Sequence, residues 1–282
     1  MKVENNVDLS SCTTFKIGGT AHNFYEPESV VELIDLEKKL PKPLYIIGGG
    51  SNLLINDEKV FENVISLKYF NDLWEKEENG RYKIGASIRL QKVIKKINQD
   101  GFGGIEYLYS VPGLIGGAVY MNAGRGKKYN KSLSDYIIEV EVLHNGQRKV
   151  LKKEECKFDY RKSIFQEGDY LILSVVFQFD KILPEDAERL CRERIELCKE
   201  KQDNSKPNYG SVFCESDKHI MKMFKNPLIG KKAGVQFSGK TTNWMLNIKN
   251  GCYRDAVALL ERVELVHRLL HKRCEREVKI WK

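Results

Sequence analysis

Two runs of small residues have the composition of anion-binding loops. The first is Ile47-Gly48-Gly49-Gly50-Ser51-Asn52-Leu53-Leu54, directly after the apolar residues 44–47. The second is Val111-Pro112-Gly113-Leu114-Ile115-Gly116-Gly117-Ala118-Val119-Tyr120-Met121-Asn122-Ala123-Gly124. A phosphate-binding loop must aim several backbone N–H groups at one point, and small residues let the backbone come close. Either run alone would serve equally well as a structural turn. Two of them within residues 47–124 imply a long ligand with several phosphates or carbonyls to satisfy. Neither fits G-x-G-x-x-G, so the usual dinucleotide fingerprint is absent. A third run, Gly234-Val235-Gln236-Phe237-Ser238-Gly239-Lys240-Thr241, satisfies the letter of the P-loop pattern G-x-x-x-x-G-K-S/T. Its surroundings argue for coincidence. A P-loop follows a buried strand and opens a long helix, whereas Gly230-Lys231-Lys232 precede this run and Asn247-Ile248-Lys249-Asn250-Gly251 follow it. Val235 and Phe237 suit a strand better than a phosphate cradle.

The elements around these loops are short and mixed. Residues 30–40 read as a helix with Pro43 just beyond, 44–47 as a strand running into the first loop, 64–67 and 82–84 as strands, and 90–98 as a helix. After the second loop, 136–143 and 170–179 are strand-like, and Asn145-Gly146 is a turn. The regular alternation of a Rossmann domain is missing. Residues 185–202 form an amphipathic helix with Ala187, Leu190, Cys191, Ile195 and Cys198 on one face, and Lys199 and Lys201 near its end. The polar run 203–207 ends it and links to a last domain. A second long helix covers 253–272, with Ala256, Leu259, Leu260, Val263, Val266 and Leu270 inward. The tail 275–281 alternates as a strand, Glu277, Lys279 and Trp281 on one side and Val278 and Ile280 on the other. That pattern fits a buried strand placing a carboxylate in a cleft, and equally an edge strand with no functional role.

Composition narrows the classes. A length of 282 residues suggests about two domains, and 41% hydrophobic with 30% charged content excludes a collagen-like or wholly disordered chain. No apolar run is long enough to span a bilayer, and Met1-Lys2-Val3-Glu4-Asn5-Asn6 holds no signal core, so a cytoplasmic protein without membrane association is expected. Seven cysteines without a C-x-x-C pair speak against a disulfide framework or a structural zinc site, and no metal is expected. The net charge of +8, from 47 basic against 39 acidic residues, fits nucleic acid, a phosphate-bearing small substrate, or a plain lysine-rich surface. The lysines are scattered and no motif interleaves them with stacking aromatics, so no nucleic-acid partner is expected.

Six segments, in order along nearly the whole chain, resemble the UDP-N-acetylenolpyruvoylglucosamine reductase (MurB) family. Thr13-Thr14-Phe15-Lys16-Ile17-Gly18-Gly19-Thr20-Ala21 is similar to its N-terminal signature, Gly48 to Leu54 to its G-G-G-S-N-L-L loop, and Ser110 to Gly124 to its P-G-x-x-G-G-A-x-x-M-N-A-G motif. Phe158-Asp159-Tyr160-Arg161-Lys162-Ser163-Ile164-Phe165 resembles F-x-Y-R-x-S-x-F, Gly210-Ser211-Val212-Phe213 resembles G-S-x-F, and Glu275-Arg276-Glu277-Val278 resembles E-x-E-V.

The resemblance implies an α+β chain: a two-lobed FAD-binding domain of the vanillyl-alcohol-oxidase type, with lobes at 1–68 and 69–182, then an α+β substrate-binding domain at 183–282. It implies non-covalent FAD, NADPH as reductant, a UDP-sugar enolpyruvyl ether as substrate, and the compact form without an inserted substrate loop. A monomer or weak oligomer is expected. Cofactor binding falls on Ile47, Gly48, Gly49, Gly50, Ser51, Asn52 and Leu53 of the first loop, and on Pro112, Gly113, Ile115, Gly116, Gly117, Ala118 and Asn122 of the second. Carried over by motif, Ser211 is the proton donor, while Arg161 and Glu277 polarise and stabilise the charge that grows on the substrate carboxylate. Without the motifs, Arg161 reads as an ion-pairing arginine, Ser211 as a turn residue and Glu277 as a solvated strand residue. The chain departs from the pattern at Arg125-Gly126-Lys127-Lys128-Tyr129, where the family has alanine, tyrosine and glycine. It departs again at Thr241-Thr242-Asn243-Trp244, where the family has a histidine followed by Ala-Asn-Phe. The alternative these departures leave is a flavoprotein relative acting on a different substrate.

Overall fold

A computed structural model describes residues 1–282 apart from the side chain of Lys128. The chain divides into two compact units. The first contains residues 1–4, 24–49 and 63–198, and the second residues 5–23, 50–62 and 199–282.

The first unit is built on a five-stranded antiparallel sheet in the order Gln147–Lys152, Ile137–His144, Tyr170–Gln178, Arg81–Gly85, Trp74–Lys76. Its central strand Tyr170–Gln178 is buried at seven successive positions, because both faces of the sheet are covered. On one face Val175 and Phe177 meet Tyr82, Ile84, Val140 and the helix Leu90–Gln99, whose Leu90, Val93, Ile94 and Ile97 form a stripe at helical spacing. On the other, Leu171 and Leu173 meet Leu33 and Leu36 of the helix Val30–Lys39. That helix begins where Ser29 accepts a hydrogen bond from the Glu32 N–H at 3.2 Å, a serine cap contributing about 1 kcal/mol. The turn at Asn145-Gly146 has positive φ at both residues, 52° and 70°, the twist a tight hairpin needs. Its second strand, Gln147–Lys152, is nearly all exposed and its two apolar residues, Val150 and Leu151, are adjacent and do not alternate, so sequence patterning passes over it. The helix Pro184–Lys201 matches expectation in position but not in its face. Ala187 and Cys198 are buried and Cys191 packs on the core of the unit, whereas Ile195 is exposed and Leu190, Arg194 and Leu197 line a cavity.

The second unit holds a four-stranded antiparallel sheet in the order Asn208–Ser211, Trp244–Asn247, Val235–Phe237, Lys231–Lys232. Helix Tyr253–Leu269 packs Ala256, Leu259, Leu260 and Val263 against Phe15, Tyr209, Val212 and Phe213. Its last turn differs from the expected pattern: Leu270 is exposed, and His267 is buried instead. His267 accepts the Asp217 N–H through Nε2 at 2.9 Å and bonds the Val263 carbonyl through Nδ1 at 2.8 Å, a polar residue fully satisfied inside the core. The P-loop look-alike is a hairpin. Gly234 sits where an added Cβ would lie 2.3 Å from the Lys249 carbonyl, Val235–Phe237 is a strand, and Lys240 donates to the Lys199 carbonyl at 2.8 Å. The strand Trp244–Asn247, not a helix, follows the match, and the N–H groups of Lys240 and Thr241 both donate to Ser238 Oγ, at 3.0 and 2.9 Å.

The tail is not one alternating strand. Glu275–Arg276 pairs with Phe213–Glu215, then Lys279–Trp281 pairs in parallel with Leu53–Ile55. The chain changes partner between the two pairings, where the N–H groups of both Glu277 and Val278 donate to the Val212 carbonyl at 2.9 and 3.3 Å. Among the described residues no helix is long and apolar enough to cross a membrane.

Candidate active site

Within the first unit, the strand Tyr45–Ile47 runs parallel to residues 64–66 and ends in Gly48 and Gly49. The second small-residue run lies against it. The segment after Arg81–Gly85 holds that run by its backbone: Leu90 N–H donates to Gly113 O at 3.2 Å, Ile115 N–H to Ile88 O at 2.9 Å, and Gly116 N–H to Ala86 O at 2.9 Å. An added Cβ on Gly49 would lie 3.1 Å from the Gly113 Cα, and one on Gly116 would lie 3.1 Å from the Ala86 Cβ. Beside Gly117 there is open space, with nothing within 4 Å of an added Cβ. The N–H groups of Gly48 and Gly49 donate to no acceptor among the described residues. Two glycine turns thus meet backbone to backbone, with open donors on one and open space beside the other. That geometry fits a phosphate-bearing cofactor that a Cβ would displace.

The expected cofactor residues are not equivalent. Ile115 is fully buried in the core and its N–H is already bonded, so its contribution is to fix the turn. The Ala118 N–H is likewise bonded, to Leu114 O at 3.0 Å. Asn122 is buried with φ of 41°; its amide donates to Asp159 O at 2.9 Å and accepts from Ser134 N–H at 3.1 Å. It ties the second loop to the turn carrying Arg161. Pro112 is exposed and has no N–H to offer.

Arg161 sits at the tip of a tight turn closed by reciprocal bonds between Asp159 and Lys162, at 3.1 and 3.0 Å. Its φ of 60° is unusual for a residue with a side chain and marks a position held by its surroundings. The guanidinium donates to the carbonyls of Asn122 at 3.3 Å and Gly124 at 2.6 Å, so its plane is fixed against the Asn-Ala-Gly end of the second loop. Gly124 is required there: an added Cβ would lie 2.4 Å from the Lys131 carbonyl and 3.2 Å from Arg161 Nη1.

Ser211 and Glu277 belong to the second unit. Gly210, at φ 83°, kinks the strand Asn208–Ser211 before Ser211 pairs with Trp244. Asn243, itself at φ 62°, brackets the next two residues. Its carbonyl accepts Val212 N–H at 3.1 Å, its Oδ1 accepts Phe213 N–H at 3.0 Å, and its Nδ2 donates to Phe213 O at 2.7 Å. Glu277 is fastened from the opposite direction: its N–H donates to Val212 O, while its carbonyl accepts from Asn52 Nδ2 at 3.1 Å. Glu277 is thus tied both to Val212, the residue after Ser211, and to Asn52, and both Ser211 and Glu277 are half-buried. The neighbouring Arg276 is held charged by its hydrogen bonds to Glu264, against the opposing pull of burial. Gly50, Ser51, Asn52 and Leu53 belong to this unit. Gly50, at φ 59°, packs so close to Cys12 that a Cβ would lie 2.0 Å from its carbonyl. Thr14 N–H donates to Gly50 O at 3.1 Å, and Thr14 Oγ1 donates to Asn208 O at 2.7 Å. The bracketing by Asn243 and Asn52 is what sequence reasoning missed. Asn52 is expected there as a cofactor-binding residue, not as a support for Glu277, and Asn243 only as part of a departing segment.

Residues 24–151 match the FAD binding domain family. The chain is 31% identical over 296 residues to the UDP-N-acetylenolpyruvoylglucosamine reductase of Petrotoga mobilis, covering 99% of this chain and 95% of that one. It is 30% identical over 272 residues to the reductase of the same name from Fusobacterium nucleatum, covering 94% and 93%. The crystal structure of UDP-N-acetylenolpyruvylglucosamine reductase (MurB) from Thermus caldophilus superposes with a TM-score of 0.82 at 27% identity, covering 100% of both chains. The chain belongs to the UDP-N-acetylenolpyruvoylglucosamine reductase family.

Proposed function

We propose that the chain reduces the enolpyruvyl group of UDP-N-acetylenolpyruvoylglucosamine to give UDP-N-acetylmuramate, with non-covalent FAD and with NADPH as reductant, in the synthesis of peptidoglycan precursors. Family membership over essentially the full length supports the reaction. The observation that carries the cofactor is the meeting of Gly49 with Gly113 beside open N–H groups. In functional terms residues 1–68 and 69–182 hold the cofactor and 183–282 the UDP-sugar. The protein acts in the cytoplasm as a monomer or weak oligomer, without nucleic acid or membrane.

Bound FAD supplies the hydride that adds to one carbon of the double bond. The chain must then deliver a proton to the other carbon and steady the negative charge on the substrate carboxylate. Ser211 is the proton donor. A hydroxyl is a weak acid, so it gives its proton as hydride arrives or through a relay. The kink at Gly210 and the Asn243 bracket fix the backbone on either side of this hydroxyl. Arg161 meets the carboxylate with a planar fork, pre-set by two carbonyls of the second loop. Glu277 polarises the same charge from a backbone pinned at both its N–H and its carbonyl.

The test is NADPH oxidation by purified protein with and without UDP-N-acetylenolpyruvoylglucosamine. Substrate-dependent oxidation is expected. A flavin-loaded protein with no substrate-dependent rate overturns the reductase reading in favour of a flavoprotein relative with another substrate.

A further inference from the structure

The first unit contains a cavity of about 480 Å³ that none of the proposed catalytic residues lines. Its wall includes residues of the strand pair Gly124–Arg125 and Lys131–Ser132, three tyrosines, and one edge of the helix Pro184–Lys201. Its charge is unbalanced. Two carboxylates line it and both are engaged elsewhere. Glu106 accepts from Asn98 Nδ2 at 2.8 Å and from Gly104 N–H at 2.9 and 3.1 Å, and Glu193 pairs with Arg189 at 3.0 Å. Three cations, Arg125, Lys131 and Arg194, line the same space, and among the described residues none of them has a carboxylate partner. Arg194 is half-buried, donating from Nε to Ser110 Oγ at 2.8 Å, while Arg125 stacks 4.2 Å above the Tyr129 ring. Burial pushes the Arg194 guanidinium below its ordinary value, and the nearby Arg125 pushes it the same way. Tyr107 adds a buried hydroxyl with no hydrogen-bond partner in the structure.

Partly desolvated cations facing one concave space are costly until an anion joins them. A cavity of this size holds a nucleotide-sized group, and aromatic walls suit the rest of such a ligand. We propose that this cavity is a phosphate subsite: Arg125 and Arg194 clamp a phosphate group of one of the two nucleotide reactants. The proposal rests on the reductase reading for the identity of those nucleotides, NADPH and the UDP-sugar. Arg125, part of a departure from the family pattern, is then a binding residue.

The experiment is steady-state kinetics of the flavin-loaded protein carrying Arg194→Met or Arg125→Met, with NADPH, NADH and UDP-N-acetylenolpyruvoylglucosamine varied in turn. Loss of one charge-assisted contact to phosphate is expected to raise one KM by about tenfold or more, with flavin content retained. A rise for NADPH but not NADH identifies the 2′-phosphate. An equal rise for both nicotinamides identifies their diphosphate, and a rise for the UDP-sugar alone identifies its own. Arg194→Lys, which keeps the charge, is expected to lose less than Arg194→Met. Unchanged KM values for all three ligands in both methionine variants overturn the proposal. If Arg194→Met does not fold, Arg125→Met carries the test alone. Absence of NADPH oxidation by the unmutated protein counts against the reductase reading instead. Calorimetric titration with UDP and NADP⁺ then decides the cavity, since neither ligand binding more weakly to Arg125→Met contradicts it.

Discussion

In the first unit the groups proposed to hold a cofactor are backbone N–H donors at Gly48 and Gly49, beside a Gly113 backbone that would crowd any Cβ on Gly49. In the second, the groups proposed to meet a substrate are the side chains of Ser211 and Glu277, mounted on a backbone that Asn243 and Asn52 hold from two directions. Backbone recognition removes side chains and leaves a run of glycines that any reader of the sequence can see. Side-chain recognition leaves one serine or one glutamate among many, positioned by hydrogen bonds to carbonyls that carry no sequence signature. Arg161 combines both: its fork is a side chain, but it is aimed by the carbonyls of Asn122 and Gly124.

This contrast is open to direct attack. Ser211→Ala is expected to have the largest effect, lowering turnover by about 10²- to 10⁴-fold while the flavin is still reduced by NADPH at nearly the normal rate. Stopped-flow measurement of each half-reaction checks this, and equal loss in both halves contradicts a proton-donor role. Gly49→Val should do the reverse. The clash with Gly113 costs roughly 1–3 kcal/mol, so FAD affinity falls by about ten- to a hundredfold, and turnover returns when excess FAD is added. Fluorescence titration of apoprotein with FAD reads this out. Arg161→Lys keeps the charge but loses the fork and is expected to slow turnover by roughly ten- to a hundredfold; a rate within a factor of about two would make Arg161 a structural residue. The smallest effect belongs to Asn243→Ala, which removes the two side-chain bonds to Phe213. A loss of about 1–3 kcal/mol of stability is expected, with kcat falling more than FAD content, because the bracket serves Ser211 and not the cofactor turns.

The parts of the fold legible in the sequence are those where an apolar period or a backbone constraint dominates. The stripe of Leu90, Val93, Ile94 and Ile97, the turn at Asn145-Gly146 and the glycine loops fall in this class. Strands made by pairing alone were invisible. Lys2–Asp8 is exposed along almost its whole length, so no alternation betrays it. The tail was misread because its alternation continues through a change of partner at Glu277, an event set by the Val212 carbonyl that no local pattern records. Helix faces failed at their ends: Ile195 and Leu270 follow helical spacing but lie where nothing covers them, and His267 is inside because Asp217 and Val263 satisfy both its nitrogens. In the candidate site, Ser211, Arg161 and Glu277 were named by motif context. Their supports, Asn243 and Asn52, needed the structure.

Two glycine turns are proposed to close around one flavin that the chain then uses for reduction. The most direct measurement is the visible spectrum of the purified protein before and after NADPH, followed by addition of UDP-N-acetylenolpyruvoylglucosamine. Bound-flavin absorbance is expected to bleach with NADPH and to return when the substrate is added without oxygen. A folded, colourless protein that takes up no added FAD contradicts it.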